Sequence, residues 1–380
     1  MSLAPDSPKI ALLFGGTFDH SRRLAAQRGE KPRMNELEIQ SQLGAQLYDF
    51  GWFKDRASHQ RSARLLYWAA NRIGQWSLWL ALLSFWTMKE YDVVYATGED
   101  VGLPLAALLR LAGKKYPRVI MRLEQPTYGR TLFRRFVFNS LLRFALKRID
   151  LTLCRTNAHA QMLKEAFGAS PETVVFTPET TDKLFFSNST TAVSCDSLDI
   201  PTTPYIVSAG LEMRDYPTLI AAVRDLPVKV IIGAGSPWSK FRFDANSTPD
   251  LPDNVRVSSF TAAQMRELYR SAAFVVAPIK PTLRACGMNV VLEAWAMGRA
   301  VIASRTVGLT DYIQQNETGI FVEPSNVEDL RSKILYLLQQ PDEATRLGQN
   351  GSKRVATDLN LERYIGILAA AIAKLRRASV

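Results

Sequence analysis

The chain has 380 residues, 47% of them hydrophobic and 22% charged, with a formal net charge of +11 and three cysteines. That profile excludes a disordered tract, and the length is enough for two domains with separate cores. Cys154, Cys195 and Cys286 are far apart, with no C-x-x-C pair and no histidine cluster, so a disulfide framework and a structural zinc are not expected and a reducing, cytoplasmic setting fits.

In chain order, the first strand signal is KIALLF (9–14), ending in Gly15 and Gly16. This short run lacks the charged-then-apolar layout of a secretory leader. Four more β-branched runs follow: YDVVYAT (91–97), RVIMRLE (118–124), LTLCRT (151–156) and TVVFTP (173–178). Helical patterns at 61–88, 101–113 and 131–147 separate them. Residues 187–204 are polar, rich in Ser and Thr and contain two prolines, which is a linker composition. A second series then begins with YIVSAG (205–210), VKVIIGAG (228–235), VRVSSF (255–260), AFVVAPI (273–279), AVIAS (300–304) and TGIFVE (318–323). A helical tail covers 343–378. Strands alternating with helices predict parallel sheets built from βαβ units. The expected class is α/β, two Rossmann-like domains: 1–186, a linker 187–204, 205–355, and a C-terminal helix 356–380 returning to the first domain. Ligands in such folds lie beyond the carboxyl ends of the strands, here in the cleft between domains.

The charge is uneven. Residues 1–190 hold 26 Lys/Arg against 17 Asp/Glu, and between Arg110 and Arg148 eleven basic residues face a single acid, Glu124. An anionic partner is implied, either a membrane surface, a polyanionic acceptor or nucleic acid; a solvated basic face is the plain alternative. No nucleic-acid reading motif accompanies the charge. Residues 67–88 hold four of the seven tryptophans, and Trp76, Trp79, Leu83 and Trp86 recur at helical spacing. Their uncharged part, 73–88, is too short to span a bilayer. Together with the mixed basic and apolar stretch 130–148, it suits a helix lying in a membrane interface or one packed on a sheet.

One carboxylate stands out. Glu293 interrupts the apolar run GMNVVLEAWAMG, about two turns into a helix expected to begin near Gly287. A helix start offers unpaired N–H groups suited to a phosphate. A buried carboxylate needs hydroxyls or cations, and vicinal ribose hydroxyls would serve, as would an ion pair with Arg299.

The segments SAGLEMRDYPTLIAAV, VKVIIGAGS, NVRVSSFTAAQMRELYRSAAFVVAPIK and GMNVVLEAWAMGRAVIASRTVGLTDYIQQNETGIFVEPSNVEDLRSKILYLL resemble, in order and spacing, the donor half of the family 4 glycosyltransferases. These retaining enzymes have the GT-B fold, and the resemblance spans about 208–354. It implies that Glu293 holds the ribose of a nucleoside diphosphate sugar. It also places the backbone of Cys286, Gly287, Met288 and Asn289 beside the diphosphate and sugar, and Arg214 on the diphosphate. A surface pair of Arg214 with Asp215 is the plain alternative. Ser259 and Phe260 fall in the stretch that meets the base, and Gly233 and Gly235 are tight-turn residues of the donor site. The first glutamate of the family motif is replaced by Ala285, and the usual arginine before Arg214 by Ser208 or Ala209. No histidine follows the strand RVIMRL; His159 reads as a helix start.

Arg284 or Lys280 is then the expected substitute cation. Glu124, after that strand, is the candidate to orient an acceptor hydroxyl, or else a partner of Arg122 or Arg130. Gly15 and Gly16 are expected to let acceptor or donor approach the backbone. The reading is a retaining hexosyltransferase acting from a UDP- or GDP-linked donor on a lipid or glycan hydroxyl. No bound metal or cofactor and no nucleic-acid partner are expected, and location is cytoplasmic, with possible contact to the inner face of the cell membrane. The alternative is a non-catalytic sugar-nucleotide-binding or scaffold protein of the same fold.

Overall fold

The computed structural model describes residues 8–114, 117–124, 132–187, 198, 200–235 and 251–377. Most of the proposed linker, and Arg130, lie outside the described residues. The chain divides into two compact units. Unit 1 comprises Met1–Ser21, Met34–Pro178 and Tyr364–Val380; unit 2 comprises Arg22–Arg33 and Glu179–Arg363.

In unit 1, β1 (Ile10–Leu13), β2 (Gln46–Tyr48), β3 (Val93–Ala96), β4 (Arg118–Leu123), β5 (Leu151–Cys154) and β6 (Val174–Phe176) form one sheet in the order β2-β1-β3-β4-β5-β6. Every pairing is parallel. The strands are short and apolar because helices cover both faces, leaving neither side to water. One face packs against the helices Phe50–His59, Arg61–Ile73, Trp76–Thr87, Glu99–Leu111 and Leu132–Leu146. The other is covered by Ile39 and by Tyr364, Ile365, Leu368 and Ile372 of the last helix, Leu361–Arg377. The hydroxyls of Tyr364 and Tyr95 are hydrogen-bonded to each other in that buried layer.

Unit 2 repeats the plan with β7 (Tyr205–Ala209), β8 (Lys229–Gly233), β9 (Val255–Ser258), β10 (Phe274–Ala277), β11 (Val301–Ser304) and β12 (Ile320–Val322). The order is β12-β11-β10-β7-β8-β9, again all parallel. The chain runs from β7 outward to β9, then crosses to β10 on the far side of β7. The sheet therefore has a switch point between β7 and β10, where the loops leaving two adjacent strands diverge and open a crevice. Unit 1 has its own between β1 and β3.

Eleven strands fall on the runs expected from sequence. The strand β2 had no signal, being three residues with only Tyr48 buried. The helix pattern at 61–88 is two helices, because Gly74 and Gln75 both take positive φ (76° and 58°) and break the run. Of the four residues at helical spacing, Trp76 packs on Phe50, Phe53 and Tyr67, Trp79 donates to the Gly74 carbonyl (2.9 Å), and Leu83 is in the core, while Trp86 is exposed. The segment Arg22–Arg33 belongs with unit 2, where the Arg33 guanidinium binds Asp182 (2.7 Å) and Glu362 (2.8 Å).

Candidate functional site

The switch point of unit 2 gathers the residues singled out in the second half. After β7 the chain turns at Gly210, with φ 95°. A Cβ there would lie 2.6 Å from a guanidinium nitrogen of Arg214, so the position needs glycine for conformation and for space. Arg214 curls back under this turn. Its Nε donates to the Ala209 carbonyl (2.6 Å) and its Nη1 to the Glu212 carbonyl (3.1 Å). The loop is laced to the segment after β10 by Asp215 N–H to Pro278 O (3.0 Å) and Lys280 N–H to Met213 O (2.9 Å). Asp215 does not pair with Arg214; it accepts from the Ser325 hydroxyl (2.6 Å). Among the described residues, the hydrogen-bond partners of the Arg214 guanidinium are thus backbone carbonyls.

The helix Met288–Ala296 starts at Gly287, whose φ of 89° again requires glycine. No side chain caps it, so its first N–H groups are available to a ligand. Gly308, just past β11, approaches the preceding loop so closely that a Cβ would lie 2.9 Å from the Cys286 nitrogen and 3.1 Å from the Ala285 Cα. Cys286, Met288 and Ala285 are buried, while Asn289 is exposed. Ala285 sits among apolar neighbours of the core and offers no carboxylate there. Arg284 is ion-paired with Glu212 (3.2 Å), and the Lys280 side chain is exposed.

Glu293 lies on this helix, partly exposed. Burial pushes its carboxyl up to about 7; the Tyr269 hydroxyl, donating to its Oε2 at 3.1 Å, and the charge of Arg214 pull the other way. Arg299 is not its partner. That guanidinium donates to the Ala272 carbonyl (3.2 Å) and is held below its ordinary value by burial. A carboxyl pushed up by burial, with an arginine's charge acting on it, on the helix that follows the switch-point strand β10 marks a candidate binding or catalytic site.

Toward β8 and β9, Gly233 makes room for Met265, whose sulfur would be 2.8 Å from an added Cβ, and Gly235 lies beside Ser259. Their glycines are explained by packing. Ser259 is exposed, and Phe260 packs on the core with the Arg256 guanidinium 5.9 Å from its ring centre.

In unit 1, an added Cβ at Gly15 would meet the Asp100 carboxylate at 2.3 Å, and one at Gly16 the Phe14 ring at 2.9 Å. Asp100 accepts from Ser77 (2.5 Å). Glu124 is held between Arg122 (2.7 Å) and Arg155 (2.5 Å), and its N–H donates to Glu99 (2.9 Å). The ion pair with Arg122 is one of the two partners considered from sequence; Arg155 was not anticipated. His159 lies in the first turn of the helix Asn157–Phe167, its N–H on the Thr156 cap. An open pocket of about 550 Å³ at the β2 edge, lined by His20, Gln46, Asp49, Trp52 and Asp55 among others, contains none of the expected site residues. Among the described residues no His/Cys/Asp/Glu group has the make-up of a metal site.

Sequence reasoning missed Tyr269 and Gly308. Gly308 carried a signal, a lone glycine after a strand. Tyr269 carried none, since a tyrosine in an amphipathic helix reads as core.

Comparison with known proteins fits this geometry. The two-sheet architecture is the GT-B fold of glycosyltransferases, and residues 213–340 match the family model "Glycosyl transferases group 1". The match lies within unit 2, and the resemblance to glycosyltransferases in sequence is concentrated there. Among curated relatives, an uncharacterized glycosyltransferase of Methanocaldococcus jannaschii is 28% identical over 149 residues, 39% of this chain and 41% of that protein. A GDP-mannose-dependent monoacylated alpha-(1-6)-phosphatidylinositol monomannoside mannosyltransferase of Corynebacterium glutamicum is 27% identical over 220 residues, 52% of this chain and 55% of its own length. The matches thus span about half the length of these relatives. Among solved structures, Anabaena HepE in complex with UDP superposes with a TM-score of 0.67 at 14% identity, over 96% of this chain and all of that one.

Proposed function

We propose that the chain is a retaining glycosyltransferase of family 4 that moves a hexose from a UDP- or GDP-linked donor to an acceptor hydroxyl. The observation that carries this reading is that the charge of Arg214 acts on the Glu293 carboxyl at the unit 2 switch point, beside a helix start with no side-chain cap. Ionised Glu293 accepts from the ribose diol. Helix N–H groups from Gly287 onward receive the diphosphate. Arg214, poised by the carbonyls of Ala209 and Glu212, neutralises charge on the departing nucleoside diphosphate. These groups supply the positive field at the diphosphate, so the transfer is proposed to run without a bound metal. The named relatives support the donor class, one by its GDP-mannose dependence and one by its complex with UDP.

Unit 1 is proposed to serve the acceptor, with Glu124 orienting its hydroxyl, and residues 187–204 to act as a linker. A lipid-linked or membrane-presented acceptor is supported by the helix Arg61–Ile73. It exposes Leu65, Trp68 and Ile73 beside Arg61, Arg64 and Arg72 and contains no acidic residue. Such a face suits an anionic lipid surface, and we place the protein at the inner face of the cell membrane. No described helix is long and apolar enough to cross a membrane.

The buried Ala285, standing where the family keeps a carboxylate, favours one second reading, a protein that binds sugar nucleotides without transferring. Assays of donor hydrolysis and transfer on a panel of UDP- and GDP-hexoses separate the two. Turnover abolished by Arg214→Ala supports the transferase; tight binding with no turnover of any donor overturns it.

A further inference from the structure

Tyr269 lies on the helix Ala262–Ser271, fully buried, with the Phe186 ring against it. Its hydroxyl reaches Glu293 Oε2 at 3.1 Å, and among the described residues this is the hydrogen bond that the carboxylate receives. Burial and the neighbouring carboxylate hold the phenol well above its ordinary value. The group therefore stays protonated and can only donate to an ionised Glu293. A carboxylate has about four acceptor positions on two oxygens. A fixed donor on Oε2 selects one rotamer and leaves Oε1 to receive hydroxyls from a ligand.

We propose that Tyr269 is a positioning residue for the sugar nucleotide: it locks Glu293 by one oxygen so that the other meets the ribose diol. This rests on the reading of Glu293 as the ribose acceptor. Other groups on neighbouring elements are engaged elsewhere. Glu267 pairs with Arg266 and Arg270, Arg354 lies over the Trp295 ring, and Arg299 donates to Ala272. Among the described residues, Arg214 also acts on the Glu293 charge.

The test is calorimetric titration of the full chain with UDP and GDP, and with the 2′,3′-dideoxy form of whichever binds. Wild type is compared with Tyr269→Phe, Glu293→Ala and the double variant, with melting temperatures as the control for folding. Tyr269→Phe is expected to weaken the nucleotide by about tenfold, the size of one charge-assisted hydrogen bond. It should leave the dideoxy probe unaffected and add nothing to Glu293→Ala. Its acid limb of binding should also move to higher pH, because the bond that favours the ionised carboxyl is gone. If Glu293→Ala weakens binding but Tyr269→Phe does not, or if the tyrosine effect persists in the double variant, the positioning role is wrong while the ribose reading stands. If Glu293→Ala changes nothing, both fall.

Discussion

The two units share one topology and differ at the ends of their strands. Both are six parallel strands with a switch point beside the first strand. At the strand ends of unit 1 the carboxylates are already satisfied: Asp100 by Ser77, and Glu124 by two guanidinium groups. At the unit 2 switch point a carboxyl is pushed up to about 7 and, among the described residues, an arginine is hydrogen-bonded to backbone carbonyls. The comparison teaches that the fold provides a crevice twice, whereas unmet electrostatic demand marks where an anionic, hydroxyl-bearing ligand is gripped. Burial of unpaired charge is costly, and a site keeps it because the ligand offsets it.

The largest expected effect comes from removing the carbonyl-held cation. Arg214→Ala should lower kcat/KM by about a hundredfold to a thousandfold, the scale for losing one donor to developing negative charge. Steady-state kinetics check it, and an unchanged value would remove the leaving-group role.

Next is a stability signature that unit 1 should not share. A carboxyl raised from 4.5 to about 7 favours the folded state fully below pH 4.5, and that contribution is lost as pH rises through 7. Glu293→Gln, neutral throughout, should therefore be more stable than wild type at pH 8 by up to about 3 kcal/mol. The gain should vanish by pH 4, in urea denaturation without nucleotide. At the same time it should weaken donor binding, and wild-type affinity should fall as pH drops below 7.

Glu124→Gln sharpens the contrast from the other side. It should reduce acceptor-dependent transfer by about tenfold to a hundredfold. Nucleotide affinity by calorimetry should stay unchanged, because that grip belongs to unit 2. The smallest effect is at the surface. Trp68→Ala with Leu65→Ser should weaken partition to anionic vesicles by about tenfold in a flotation assay, less than full burial of two apolar side chains because a helix lying in the interface buries them only in part.

Much of this was legible in the sequence, for physical reasons that differ by element. Buried parallel strands read as apolar runs, so eleven of them were visible, but β2 is too short and too exposed to leave a pattern. Glu293 was visible because a charge in an apolar helix is costly, and Gly287 because it stands at a helix start. What periodicity could not give was partnership. Nothing in RELYR announces that a tyrosine hydroxyl reaches across to another helix. The tryptophan-rich stretch stayed open between two readings for the same reason: spacing gives a helical face but not what covers it, and in the structure Trp76, Trp79 and Leu83 pack on the core while Trp86 is exposed.

The most direct measurement is hydrogen–deuterium exchange on the full chain with and without saturating UDP or GDP. The account predicts slowed exchange in peptides covering 209–216 and 284–296, with 40–55 in unit 1 unchanged. Protection confined to unit 1, or absent from both unit 2 segments with a nucleotide bound, would contradict it.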